Sequence, residues 1–401
     1  MSDPTLSDPA AIQARFDALQ ERLVPLWSSM QQMTDDAQTI VVVPSLSIDL
    51  VEGSGLIVQP YEERYLFLLF LLRQPRARMI YLTSEPILPS VVDYYLDLIP
   101  DVPHHHARKR LHTIPVLDPS TRPLTQKLLE RPRLVERVRG LIDDPHRAHL
   151  VPFITTDLER DLALRLGIPM YGSDPRFSDF GTKTGGRRLF EEEGVSHPLG
   201  ARDLGSVDAV VDLRATKPAI RQVIVKLNEG VSGDGNALVD LAAVPEPGGA
   251  GERDAVVAAV AAMQFEAGGA TFAGYSATLA EWGGVVEERI QGTDFASPSV
   301  QLRATPLGEL ELLSTHDQML GGATGQAYLG CIFPADPGYA PLISAEAAKV
   351  GRRLVAEGVL GRFALDFVVV RNDAGEWEGY AIEINLRKGG TTHPFLTLAY
   401  L

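Results

Sequence analysis

Apolar residues at Ile12, Phe16, Leu19 and Leu23 recur every three or four positions, so residues 10–33 predict a helix with one buried stripe. Residues 40–43 form a β-branched run closed by Pro44, the pattern of a buried strand. Helices are expected at 62–72, 88–98, 124–142 and 157–166, and strands at 79–82 and 149–154. Asp157 near the start of the last helix and Gly167 just past its end supply the usual capping chemistry. This alternation of strand and helix predicts a mostly parallel sheet with helices on its faces.

The rhythm changes after about residue 172. Residues 183–193 and 254–266 read as helices and 241–253 as a loop. Strands are expected at 222–227 and 284–290. Antiparallel strands are expected next at 300–304, 310–315, 326–333, 364–371 and 377–386, interrupted by a helix at 345–357. Asn372-Asp373-Ala374-Gly375 is a hairpin turn signal. The pattern is that of one α/β domain followed by α+β units, with no internal repeat.

Composition narrows the classes. The 401 residues carry 37 Lys and Arg against 52 Asp and Glu, a net charge of −15. Such a chain is a poor general partner for nucleic acid or anionic membrane, both polyanions. The longest dense apolar run, 66–72, is far short of the ~20 residues of a membrane span. The acidic, polar start of the chain is not expected to be a signal peptide, and a cytoplasmic protein is expected. The single cysteine, Cys331, excludes an internal disulfide and reads as a small buried apolar residue. Phosphate-loop, dinucleotide-binding, nucleophile-elbow and zinc-protease motifs are absent. His104-His105-His106 lies beside Arg108-Lys109-Arg110 and reads as a solvated loop rather than a zinc site.

Four features carry candidate chemistry. Asp366 on one strand and Glu383 and Asn385 on the next place three oxygen donors together, because residues two apart share a strand face. Hard oxygen donors suit Mg²⁺ with substrate phosphates. Arg387-Lys388-Gly389-Gly390 directly after them weakens the plainer reading of a hairpin with a wet face. Second, Lys226 sits in an apolar strand that feeds the loop 228–236, rich in Gly230, Ser232, Gly233, Asp234 and Gly235. This suits a lid over a triphosphate, or an ordinary hairpin turn. Third, Lys183 opens a helix whose N-terminus could hold a phosphate. Fourth, Glu287 and Glu288 precede Ile290, Gly292 and Asp294. They suit an adenine and ribose contact, or an exposed edge.

In this order the four features resemble the ATP-grasp superfamily. The phrase Glu383-Ile384-Asn385-Leu386-Arg387-Lys388-Gly389-Gly390-Thr391-Thr392-His393-Pro394 is similar to that of the pheganomycin-type actinobacterial peptide ligases. The resemblance implies an α/β chain with an ATP-grasp fold: a Rossmann-like pre-ATP-grasp domain over 1–175, a small lid subdomain over 176–290 and a large subdomain with the metal site over 291–401. It implies that Lys183 and Lys226 touch ATP phosphates and that Gly230, Ser232, Gly233, Asp234 and Gly235 cover them. It further implies that Glu287, Glu288 and Ile290 form the adenine hinge and that Asp294 binds ribose. Asp366, Glu383 and Asn385 would then bind Mg²⁺ (or Mn²⁺), with Arg387 on the transferring phosphate beside Lys226. Many members carry an arginine two residues before the first metal carboxylate. Here Ala364 stands there, which leaves Arg387 or Arg362 for that role. Asp294 replaces the more usual glutamate, and the peptide ligases continue beyond the point matching Leu401.

The activity implied is an ATP-dependent carboxylate–amine ligase that works through an acylphosphate in specialised metabolism. Its partners would be small-molecule or peptide carboxylates and amines, with no nucleic acid or membrane. Dimers are common in the superfamily, so a homodimer is admitted. The alternatives are a relative that hands the acylphosphate to a thiol or hydroxyl, and a nucleotide-binding regulator without turnover.

Overall fold

A computed structural model describes residues 8–31, 37–47, 58–202, 207–230, 233 and 235–400. Three sheets organise them. The first is parallel, in the order Leu111–Pro115, Ala77–Thr83, Gln38–Val43 and Ala148–Pro152. Its side chains divide by alternation. Ile40, Val42, Met79 and Tyr81 pack on one face, and Val41, Val43, Ile80 and Leu82 on the other. Both faces are buried, which is why these strands read as unbroken apolar runs. The helix Asp157–Leu166 covers the second face, capped by a Thr156–Glu159 box and by Gly167 at φ 69°.

Several expectations about this half need correction. The expected helix at 10–33 is two, Pro9–Gln20 and Leu23–Gln31. The expected helix at 124–142 breaks into Leu124–Leu129 and Pro132–Gly140, because Pro132 has no N–H to continue the first and opens the second. The expected helix at 62–72 is a short α-helix, Val58–Glu63, followed by ten residues of 3₁₀ helix, Arg64–Arg73. Its side chains from Tyr65 to Phe70, and Leu72, are buried all round rather than on one stripe. Among the elements touching it is the helix Thr392–Tyr400, with Tyr400 5.6 Å from Phe70. The histidine cluster opens a short helix, His104–Lys109, instead of lying in a loop. His104 sits between Asp93 and Asp97, at 3.1 and 2.8 Å.

The second sheet is antiparallel, in the order Gly200–Arg202, Gly284–Glu288, Gln222–Leu227, Asn236–Asp240 and Gln264–Phe265. Val223, Val225 and Leu227 face its core with residues of the helices Asp208–Thr216, Glu252–Ala261 and Phe272–Trp282. The expected helix at 254–266 therefore starts earlier and gives way to a strand. The third sheet has six strands: Thr293–Ala296, Gly361–Arg371, Pro298–Ala304, Leu310–Gly321 and Ala327–Ile332 in sequence, with Trp377–Asn385 also on Gly361–Arg371. The helix Ala340–Glu357 covers it through Ile343, Ala347, Val350 and Leu354, one face at helical spacing. Leu189 and Phe190 of the helix Lys183–Glu192 join this third core. Among the described residues no helix is long and apolar enough to cross a membrane.

His149, in the parallel sheet, is 6% exposed and meets the Tyr171 ring edge-on at 6.5 Å. Burial, then the nearby Lys388 charge, pushes its imidazole down to about 4. Between pH 6.5 and 4 the unfolded chain takes up a proton on this ring that the folded chain refuses. Stability from this group is therefore complete above pH 6.5 and falls with pH by about 1.4 kcal/mol per unit. His149→Phe is expected to flatten the loss of urea midpoint between pH 7 and 5. A slope equal to wild type would exclude His149 as its source.

Candidate functional site

The acids come together as the strand spacing requires. Asp366 and Glu383 are direct partners across the last hairpin, with a bulge just beyond them. The Asn385 amide donates to both, at 3.0 Å to Asp366 and 2.9 Å to Glu383. Lys183 reaches over from its helix to pair with Glu383. Burial opposes ionisation of Glu383, but the Lys183 charge and hydrogen bond, helped by Lys226 and Asn385, carry its carboxyl down to about 2. Asp366 has the same burial with the Glu383 charge beside it and only a distant share of Lys183, and is pushed up to about 7. Two facing carboxylates are thus served by one adjacent ammonium. This donor set fits a divalent cation: both acids point to one place, and half a turn of the Asn385 amide adds a third oxygen.

The helix Lys183–Glu192 packs on the hairpin at Ile384, and its third residue is glycine because the turn before it leaves no room for a side chain. A Cβ on Gly185 would lie 1.9 Å from the Asp179 carbonyl oxygen, and one on Gly186 would lie 3.7 Å from Ile384. The helix N-terminus itself does not offer a phosphate cradle. The Thr184 amide donates to Asn228 Oδ1 at 2.9 Å and the Gly185 amide to Thr182 Oγ1 at 2.9 Å. Only the Lys183 side chain is directed to the site.

On the second sheet, alternation turns Val223, Val225 and Leu227 to the core and Ile224 and Lys226 to the cleft. Lys226 donates to Glu287 on the neighbouring strand at 2.6 Å, and Arg187 pairs with the other oxygen of Glu287 at 3.1 Å. All three side chains are nearly buried. Glu288 accepts from the Leu199 amide at 3.0 Å and pairs with Lys217. Gly233, at φ 89°, would place a Cβ 3.0 Å from the Gln326 carbonyl oxygen, so the loop presses on the hairpin tip of the third sheet. Beside it, Asn236 bonds Gln326 at 2.9 Å. Glu266 accepts from the amides of Ala323 and Thr324, at 3.0 and 2.8 Å, and from the Thr324 hydroxyl. These contacts latch the second sheet to the third.

A cavity of about 900 Å³ lies between the sheets. Lys183, Lys226, Gly230, Gly233, Gly235, Glu287, Glu288, Ile290, Asp366, Glu383, Asn385 and Arg387 all line it. Ser232 and Asp234 lie outside the described residues. Asp294 does not join the lining. It adopts φ 53° where the strand Thr293–Ala296 slips register, and its exposed carboxylate pairs with Arg371 at 2.9 Å. Arg362 is not in the lining either. It is buried beside Arg303, Tyr171 and Tyr400, so of the two candidates only Arg387, set 5.8 Å over Phe153, lines the cleft. Cys331 is half-exposed and lines the cavity, against the expectation of a buried apolar residue.

No motif marks the lining from distant segments: Tyr61, Arg64, Phe153, His316 and Tyr328. Arg187 was legible in hindsight, one helical turn after Lys183.

A family model described as IQCH-like, ATP-grasp matches residues 252–388. The L-propargylglycine–L-glutamate ligase of Streptantibioticus cattleyicolor is 33% identical over 348 residues, 82% of this chain and 67% of that protein. IQ motif-containing protein H of Danio rerio is 24% identical over 421 residues, 92% of this chain and 39% of that protein. The chain therefore spans about two thirds of the first relative and well under half of the second. Among solved structures, a biotin carboxylase from Campylobacter jejuni, described as a β-γ-ATP complex, aligns with a TM-score of 0.55 at 14% identity, over 91% of this chain and 71% of that one. The biotin carboxylase domain of Hydrogenobacter thermophilus 2-oxoglutarate carboxylase, described in complex with MgADP and bicarbonate, aligns at 0.54 and 14%, over 89% and 65%. At these identities the likeness speaks for the fold.

Two outcomes follow from the geometry. Glu287→Ala leaves Lys226 and Arg187 buried without their shared acid, and a loss of about 3–5 kcal/mol is expected in chemical denaturation. A loss under 1 kcal/mol would show the triad to be solvated. Glu266→Ala removes the acceptor of three hydrogen bonds, so amide exchange at 322–326 and 235–236 should speed up with little change in the parallel sheet. Uniform exchange across all three sheets would contradict a local latch.

Proposed function

Because this chain belongs to the ATP-grasp superfamily, a family of ATP-dependent ligases, we propose that it joins the carboxylate of one amino acid or peptide to the amine of another, releasing ADP and phosphate. It is read as an ATP-dependent carboxylate–amine ligase. The observation that carries this is the convergence of Lys183, Lys226, Asp366, Glu383 and Asn385 on one cleft from segments up to 200 residues apart. The name of the Streptantibioticus relative couples two amino acids, which supports substrates of that size here.

In this reading Lys183 and Lys226 bind the phosphates, and the loop with Gly230, Ser232, Gly233, Asp234 and Gly235 closes over them. Glu287, Glu288 and Ile290 receive the adenine. Asp294, paired with Arg371 on the outside, is left without the ribose role. Asp366, Glu383 and Asn385 would hold Mg²⁺, which supplies charge neutralisation to the transferring phosphoryl group. A carboxylate oxygen attacks the γ-phosphorus and ADP leaves; an amine nitrogen then attacks the acyl carbon and phosphate leaves. Arg387 faces the transferring group with its planar fork. The latched lid keeps water from the acylphosphate, which would otherwise hydrolyse. The division of labour follows segments 1–175, 176–290 and 291–401, and the cytoplasm, where ATP is made, is the setting.

An ADP-release screen over paired amino acids, with mass detection of the condensed product, tests this. Glu383→Gln should lower ADP release on the order of 100-fold or more, and Lys226→Ala should raise the KM for ATP about tenfold or more. Near-normal turnover in Glu383→Gln would remove the metal assignment. A product ester or thioester would move the chain to another acceptor chemistry, and ATP binding without ADP release across the panel would make it a nucleotide-binding protein only.

A further inference from the structure

The cleft carries two cations that the ligation reading leaves unused, Arg64 and Arg289; Arg289 already donates to the Gln222 side-chain oxygen at 2.9 Å, which sets Arg64 apart. Lys183 faces Glu383, Lys226 shares Glu287 with Arg187, and Lys217 holds Glu288. Arg387 is given to the transferring phosphate. Arg64 also lines the cavity, and among the described residues it has no carboxylate partner; its guanidinium lies over the Tyr61 ring at 4.4 Å. Its backbone is fixed, because it opens the 3₁₀ helix Arg64–Arg73, whose following residues are buried. It also comes from the N-terminal region, so it enters the cavity from a different segment than the hairpin acids. Tyr328 lies within electrostatic reach of both Arg64 and Asp366, and His393 stands beside Arg64.

A half-buried guanidinium without a counter-charge is a ready site for a planar anion. The nucleotide phosphates already have Lys183, Lys226 and Arg387. The reacting carboxylate gives up its charge when it becomes an acylphosphate. A carboxylate on the amine substrate, by contrast, stays ionised from binding to product, and a fixed cation suits it. The cavity, near the upper end of the ~300–1,000 Å³ usual for ligand sites, leaves room beyond a nucleotide. We propose that Arg64 binds the α-carboxylate of the amine substrate and so selects a free amino acid over an amine that lacks one. This rests on the ligase reading of the same cleft.

The test compares each amino acid with its α-carboxamide as the amine. Wild type should favour the free acid by about 10- to 100-fold in kcat/KM, the worth of a charge-assisted bidentate contact. Arg64→Gln should shrink that ratio to about threefold or less, through the KM of the amino acid, while the KM for ATP moves little. Arg64→Lys, which keeps the charge but loses the fork, should retain part of the ratio; if Arg64→Gln does not fold, a ratio left at the wild-type value by Arg64→Lys overturns the assignment. Calorimetric binding of amino acid and carboxamide gives the same ratio without turnover. Absence of ADP release would therefore sink the ligase reading alone, and a binding ratio untouched by Arg64→Gln would sink the Arg64 assignment alone. Transfer of the discrimination to a second carboxylate on the acyl donor would also overturn it.

Discussion

Two carboxylates facing each other across a half-buried hairpin repel, and both stay charged only where cations stand close by. Asp366 and Glu383 are held in that position by strand register, and the surrounding structure answers their charge. The helix Lys183–Glu192 brings Lys183 against Glu383, and its packing on Ile384 fixes the approach. The same helix carries Arg187 to Glu287, which in turn holds Lys226. One helix therefore serves two ion-pair groups, with Lys183 turned to the third sheet and Arg187 to the second. This leaves Asp366 as the acid without a cation of its own. The lysines that answer these acids are also the groups suited to phosphates, so neutralising the acids and binding an anion are two uses of the same side chains.

The parts legible in sequence are those fixed by short-range periodicity. Residues 383 and 385 share a face because strands repeat every two residues, and Lys226 faces the cleft because Val223, Val225 and Leu227 claim the core. The parallel sheet was legible instead from unbroken apolar runs, since both its faces are buried. What failed was decided by backbone geometry or by distant partners. Asp294 has the right spacing for the hinge, but a positive φ and a slipped register turn it to Arg371. The helix N-terminus at Thr184 looked open to an anion until Asn228, 44 residues on, took its amide. Arg64 carries no motif, and only the packing of an apolar 3₁₀ helix against the first sheet brings it to the cleft. The break at Pro132 was written in the sequence, but the apolar spacing on either side concealed it.

The first sheet is therefore more than a pedestal. It contributes Phe153 under Arg387 and carries the 3₁₀ helix that begins with Arg64, while the chain just past the hairpin returns to pack on that helix through Tyr400. Lys388 adds a direct tie, donating to the Pro152 carbonyl oxygen at 2.8 Å from within the same site loop. The loop between Asn385 and Thr392 is thus held at both ends, by the Asp366–Glu383 hairpin on one side and by the N-terminal region on the other.

The latch at the hairpin tip has few parts. Glu266 is the sole acceptor for all three donors at 323–324, and Gly322 lies so close that a methyl group there would overlap its carboxylate. Releasing Glu266 would free those three donors together and leave the Asn236–Gln326 bond beside them. The two sheets are thus joined at this tip by a few side chains, not by a shared strand ladder.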